Sequence, residues 1–269
     1  MIDRVHLSRV PIVPVLALLL VLSAPLVHAQ EGPTPAPTPD GAATPDGAAK
    51  PDAAAPARRF TAESELGAVL TEGNTRTTTA KARVAASYAV RRLRVSADAD
   101  ALYAEDRERT TAQRIAAALK TEYTFTDRMY AFATGRYEDD RFSGFDYTVT
   151  EAAGIGRKLI EGPPVSLDIE AGPGGRHRRF DDGRHEDDLI ARAASRLAWQ
   201  IGQSATASES VRVEVGEKGS ETESITALET RITGNLALKL SFTVTHRTEV
   251  PSDTRSTDTV TAVTLVYRY

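Results

Sequence analysis

The sequence predicts an all-β fold, a closed antiparallel barrel of about twelve strands crossing an outer membrane. Three observations predict it. From about residue 60 to the end, apolar and polar residues alternate with a period of two. The alternating runs are long enough to span hydrocarbon when tilted. An export leader precedes them, and the last residue, Tyr269, is an aromatic in phase with the apolar face of the final run.

The leader comes first along the chain. Arg4 and Arg9 supply a short positive region, residues 10–22 are an apolar run rich in Leu and Val, and Val27-His28-Ala29 offers small residues for cleavage before Gln30. Pro11, Pro14 and Pro25 interrupt the segment, which favours a signal peptide at 1–29 over an uncleaved membrane anchor. Residues 30–59 then change to Pro, Ala, Thr, Gly and Asp, with Thr-Pro-Asp-Gly-Ala-Ala beginning at Thr38 and again at Thr44. Too little apolar surface is available there for a core, so a disordered, semi-stiff tether in the periplasm is expected.

Within 60–269 the clearest strand sets Leu93, Val95, Ala97, Ala99, Ala101 and Tyr103 against Arg92, Arg94, Ser96, Asp98 and Asp100. Leu236, Leu238, Leu240, Phe242 and Val244 repeat the pattern, as do Val263, Leu265, Tyr267 and Tyr269. Breaker residues divide the region into strands at 61–71, 76–90, 92–104, 112–124, 128–138, 145–159, 165–175, 187–201, 205–216, 221–233, 235–248 and 258–269. Residues 186–200 fit both periods: Leu189, Ile190, Ala193 and Leu197 have helical spacing, while Leu189, Ala191, Ala193, Leu197 and Trp199 share a strand face. The neighbouring strands decide for a strand.

Short links such as Arg91-Arg92, Thr126-Asp127 and Gly234-Asn235 alternate with longer charged ones at 105–110, 138–144, 176–186, 216–222 and 249–257. Outer-membrane barrels alternate tight periplasmic turns with longer outer loops in this way. Aromatics near strand ends are expected to form interfacial girdles: Tyr88, Tyr103, Tyr123, Tyr130, Tyr137, Phe145, Tyr147, Trp199 and Tyr267. An even strand number closes without a free edge, which lipid requires.

Several segments in order resemble one family. They are Glu72-Gly73-Asn74-Thr75, Ala101-Leu102-Tyr103-Ala104-Glu105, Arg136-Tyr137-Glu138 with Arg141-Phe142-Ser143-Gly144-Phe145-Asp146-Tyr147, Glu170-Ala171-Gly172-Pro173-Gly174, Val213-Glu214-Val215-Gly216 and Val263-Thr264-Leu265-Val266-Tyr267. Together they are similar to the salt-induced outer-membrane protein family, a domain of unknown function, over 61–269. The resemblance implies an outer-membrane barrel and transfers no catalytic or binding residues.

Composition narrows the chemistry. The net charge is −4 with both signs interleaved, which gives no basic face for nucleic acid. The chain has no cysteine, excluding disulfides, thiolate metal sites and a cysteine nucleophile. His177, His185 and His246 are the histidines after the leader, and no serine motif marks a lipolytic site beside them. Acidic runs at Glu138-Asp139-Asp140, Asp181-Asp182 and Glu186-Asp187-Asp188 lack calcium-loop spacing and are mixed with arginines, so solvated loops are expected. Gly172-Pro173-Gly174-Gly175 lacks the Lys-Ser or Lys-Thr of a phosphate loop and is expected to end a strand. No enzyme activity, metal or cofactor is expected.

The polar parity assigns Lys81, Arg83, Arg94, Asp98, Asp100, Arg114, Lys120, Glu122, Asp168, Glu170, Arg192, Arg196, Arg212, Glu214 and Lys239 to the barrel lumen. Two functions follow from such a face. If the charges pair across strands they fill the interior, and the protein is a structural barrel of the envelope; a tie to salt or osmotic adaptation is what the family resemblance implies. If they leave a path, they line a narrow channel for small polar solutes or ions. A membrane lipase is the third reading. Expected partners are outer-membrane lipid and, through the strand ending at Tyr269, the barrel-assembly machinery.

Overall fold

The computed structural model describes residues 59–71, 77–106, 109–141, 143–180, 182–250 and 256–269. The leader, residues 30–58 of the tether and the Glu72-Gly73-Asn74 link lie outside them. Twelve strands follow in order: β1 (Arg59–Thr71), β2 (Thr77–Val90), β3 (Leu93–Asp106), β4 (Arg109–Thr126), β5 (Met129–Asp140), β6 (Phe145–Ile160), β7 (Val165–Phe180), β8 (His185–Ile201), β9 (Ala205–Gly216), β10 (Gly219–Thr233), β11 (Leu236–Arg247) and β12 (Thr257–Arg268). Each strand pairs with its neighbours in the chain, and β1 pairs with β12 through Glu63 opposite Arg268 to Leu66 opposite Leu265, closing the barrel. This seam has four register pairs, fewer than any other in the ring, and it joins the two end strands as hydrocarbon requires of a sheet.

Alternation sorts the side chains onto two faces. The outer face carries Leu66, Ile115, Leu119, Ile155, Leu240 and Leu265, all exposed. The inner face buries Glu65, Ala116, Arg176, Ile190, Glu214 and Val266. A soluble protein would hide the first group and expose the second; the inversion is that of a barrel solvated by lipid. Strands of 12 to 18 residues exceed what a membrane span needs, which is about 9–11. Their far ends therefore project beyond the apolar band. Leu240→Arg, on that outer face, is expected to lower unfolding free energy in lipid vesicles by about 2–4 kcal/mol if the residue lies near the bilayer midplane. Denaturant titration of the vesicle-inserted barrel measures it.

Residues 186–200 lie in β8, with Leu189, Leu197 and Trp199 exposed outside and Ile190 buried inside. Pairing on both sides, to β7 and β9, overrides the helical propensity of its alanines.

Three expectations are corrected. Four of the five longer charged links are shorter than the sequence suggests, the one before β12 keeping its length, because β7 runs on to Phe180, β8 begins at His185 and β10 begins at Gly219. Their charged ends are ladder residues, since a lumen accepts charges that a soluble core would reject. Gly172-Pro173-Gly174-Gly175 lies inside β7 and does not end it. The β6–β7 ladder passes from Ala152–Gly174 to Ile155–Ala171, so the donor that Pro173 lacks is not missed on that side. At that gap the two backbones approach closely: a Cβ on Gly172 would lie 2.1 Å from the Ala153 carbonyl oxygen. Finally, Tyr130 and Phe145 belong to no girdle. Tyr130 has the inward parity of β5, whereas Phe145 has the outward parity of β6 and is turned inward by the register shift between Phe145 and Tyr147; both are buried. Tyr88, Tyr103, Tyr123, Tyr137, Trp199 and Tyr267 are exposed on the outer face, with Tyr137 stacked on Tyr147 at 6.0 Å.

Candidate functional site

The interior is held by two connected groups of charges. In the half nearer the chain termini, Glu65 of β1 accepts from Arg83 (3.1 Å) and from Lys239 of β11 (2.7 Å). Strand β12 lies between β1 and β11, so Lys239 reaches Glu65 inside the barrel. Arg83 also meets Glu63 at 3.4 Å, and Arg268 contacts both Glu63 (3.6 Å) and Glu229 (2.5 Å). On the facing wall, Lys120 of β4 contacts Glu170 of β7 and Glu122 (2.9 Å). Arg192 meets the same Glu170 at 3.3 Å, and Tyr130 donates to it at 2.9 Å. Lys120 and Arg192 both lie over the Phe132 ring, at 5.6 and 5.4 Å. Arg94 reaches Glu122 at 3.7 Å near the mouth.

Toward the other end the network becomes continuous. Arg114 pairs with Asp100 (3.0 Å) and approaches Glu138 (4.0 Å), which also holds Arg136 (3.0 Å). Arg247 of β11 contacts Glu138 of β5 at 3.1 Å and Glu221 at 2.9 Å. Strands β5 and β11 stand opposite one another in the twelve-strand ring. Their side chains meet from opposite walls, so this pair bridges the lumen at that level. Arg212 contacts Glu214 (2.7 Å), Glu221 (3.2 Å) and Glu223 (3.3 Å), and Arg178 approaches Glu221 (3.9 Å) and Glu186 (3.6 Å) while lying over Phe145. Arg176, 1% exposed, donates to Asp188 (2.9 Å) and to the Gly219 carbonyl (2.8 Å). Charge-assisted bonds at these lengths are the strong kind.

Among the residues expected in the lumen, Arg83, Arg94, Asp100, Arg114, Lys120, Glu122, Glu170, Arg192, Arg212, Glu214 and Lys239 thus take part in ion pairs. Asp98 stands opposite Ala85 and Ala118, and Lys81 opposite Gly67 and Leu102. Asp168 and Arg196 are register partners and line, with Glu170, Arg192, Arg212 and Glu223, a cavity of about 90 Å³. The sequence reading misses Glu65, Arg136, Glu138, Arg176, Arg178, Asp188, Glu221, Glu223 and Arg247. Their parity was readable, since Arg176 and Arg178 continue the phase of Asp168 and Glu170.

Gly156 makes room inside: a Cβ there would sit 2.2 Å from the Tyr130 ring. Gly156→Leu is expected to drive Tyr130 off Glu170 and cost about 1–3 kcal/mol by overpacking. Denaturant unfolding of the variant against the natural chain measures the loss.

The remaining candidates fall elsewhere. His177 bridges Asp187 (2.6 Å) and Glu151 (3.0 Å) through its two ring nitrogens, and His246 contacts the Thr257 hydroxyl at 2.9 Å. Alternation disperses the acidic runs: Glu138 is buried inside, whereas Asp187 is exposed and its neighbour Asp188 is buried. Among the described residues no group of three or more His, Asp or Glu side chains is arranged to hold a metal ion. Asp182, in the β7–β8 turn, accepts from the Arg184 amide and guanidinium, which hold its carboxyl below the usual carboxylate range.

Comparison with known proteins adds the following. The family model described as "Protein of unknown function, DUF481" matches residues 64–269. The uncharacterized protein YdiY of Escherichia coli (strain K12) is 30% identical over 158 residues, covering 58% of this chain and 62% of that protein. The chain thus spans less than two thirds of that relative's length. The NanC porin structure is matched over 78% of this chain and 98% of its own, with a TM-score of 0.50 and 10% identity, a likeness of fold alone. The translocator domain of the autotransporter NalP from Neisseria meningitidis covers 81% of this chain and 90% of its own, at a TM-score of 0.45 and 11% identity.

Proposed function

We propose, on the premise that the chain belongs to the DUF481 family, that it is a non-enzymatic, sealed structural barrel of the outer membrane, serving envelope integrity under salt or osmotic stress. The observation that carries this reading is the Arg247–Glu138 contact at 3.1 Å between opposed strands. A pore needs a continuous hydrated path, and ion pairs across the lumen remove it. The exposed apolar belt supports the membrane location, and the stress role rests on the family resemblance. The terminal strand suits recognition by the assembly machinery: the Tyr269 amide donates to the Ala62 carbonyl at 2.9 Å, and its ring meets Tyr267 edge-on at 4.8 Å.

A narrow channel is the second reading. The charged cavity beside Asp168 and Arg196 favours it, and so do the buried nitrogens of Arg176 and Arg178 that have no hydrogen-bond partner among the described residues. NanC, named a porin, shares the fold. Single-channel recording of the refolded barrel in a planar bilayer separates the two. Inserted protein, verified by heat-modifiable gel mobility, should show no conductance steps. Discrete steps that change ion preference on Arg196→Glu would establish the channel instead.

A further inference from the structure

The charged side chains that line the cavity of about 90 Å³ fall into two classes. Glu170, Arg192, Arg212 and Glu223 are held in ion pairs, Glu170 by Lys120 and Arg192, and Glu223 by Arg212. Asp168 and Arg196 are the two lining charges with no ion pair or hydrogen bond among the described residues. They are register partners on β7 and β8, which sets their Cα atoms about 4.5–5.5 Å apart, close enough for a direct pair that does not form. Asp168 is half-buried and Arg196 is exposed. Both stand near the Val165 end of β7 and the Ile201 end of β8, whereas Glu138 and Arg247, which bridge the lumen, stand near the opposite ends of β5 and β11. The cavity is thus reached from the side of the short turns, which faces the periplasm in the membrane reading, and the bridge lies beyond it.

We propose that this cavity is a binding site for a small zwitterion, whose cationic group meets Asp168 and whose carboxylate meets Arg196. A simple cation or anion satisfies one of the two side chains and leaves the other; a zwitterion satisfies both, with a charge-assisted bond at each end. Ser210, the register partner of Arg196 on β9, adds a hydroxyl at the anionic end. On the inner wall Arg212 and Glu223 are paired with each other, so that wall favours neither sign. The volume sets the size of the ligand: it is well below the roughly 300 Å³ at which pockets for drug-sized molecules begin, which admits a molecule like glycine and excludes a peptide or an oligosaccharide. The inference goes beyond the sealed-barrel reading, since a site reached from the periplasm needs no path through the lumen.

The full-length chain is refolded in detergent micelles, with heat-modifiable mobility as the check of folding, and glycine, acetate and methylammonium are titrated separately by saturation-transfer NMR. Glycine should bind saturably and roughly tenfold more tightly than either fragment, the effect of one more hydrogen bond to a charged group. Arg196→Gln should weaken glycine binding about tenfold and leave methylammonium unchanged, and Asp168→Asn should weaken glycine to the same extent and leave acetate unchanged. Neither side chain has an ion-pair partner to strand, so both variants should keep the denaturation midpoint of the natural chain. No saturable glycine binding by the folded chain, acetate or methylammonium bound as tightly as glycine, glycine binding that survives both substitutions, or a midpoint lowered by either of them overturns the proposal. A chain that never acquires folded mobility overturns the membrane-barrel reading, and the proposal with it.

Discussion

Replacing Arg212 by alanine is expected to lower the unfolding free energy by about 3–5 kcal/mol, the cost of stranding buried charges when one partner is removed. Arg212 is the contact shared by Glu214, Glu221 and Glu223 at 2.7, 3.2 and 3.3 Å. Glu221 would keep Arg247, but the contacts of Glu214 and Glu223 with Arg212 would be lost, and Glu214 is only 2% exposed. Arg212→Lys keeps the charge without the planar fork and should cost less. Arg212→Met combined with Glu214→Leu and Glu223→Leu removes the stranded charges too and should recover most of the loss, as apolar replacement of a buried network does. Denaturant titration in lipid vesicles measures all three. Arg184→Ala, which breaks an exposed pair with Asp182, should leave the midpoint unchanged and serves as the control.

Opening the bridge across the lumen should convert a silent barrel into a conducting one. The single change Arg247→Ala is expected to have little effect, because Glu138 keeps Arg136 and Arg114, and Glu221 keeps Arg212 and Arg178. Removing both partners, Arg247→Ala with Glu138→Ala, clears two side chains from opposite walls; Arg114 keeps Asp100, while Arg136 loses its Glu138 partner. The double variant should give resolvable single-channel steps where the natural chain gives none. If the double variant is equally silent, the seal lies elsewhere in the network, with the Lys120–Glu170–Arg192 group the next to remove. Steps already present in the natural chain would instead move the reading to the channel.

The strands were legible because alternation is local. Each of the twelve can be read from residues two apart, and the register then falls out of short turns such as Arg91-Arg92 and Gly234-Asn235. Strand ends were less legible for a physical reason. Arg176, Arg178, Glu186 and Asp188 look like a solvated loop, since charge usually marks contact with water, yet β7 and β8 carry them into the interior, where they neutralise one another. Tyr130 was misplaced by weighing position along the strand above parity, and Phe145 because the register shift before Tyr147, which no alternation announces, turns it inward.

By itself, then, the sequence determined what depends on neighbours along the chain. That comprises the all-β class, the count of strands, the two faces of each and the family to which 64–269 belongs. Only the tertiary structure decided which charges meet. Arg247 and Glu138 are 109 residues apart, and Lys239 and Glu65 are 174 apart. Nothing local relates such pairs, because their distance is set by ring closure and by the register of every ladder, quantities that belong to the whole sheet. Whether a lumen lined with balanced charges is a pore or a plug depends on those distances alone.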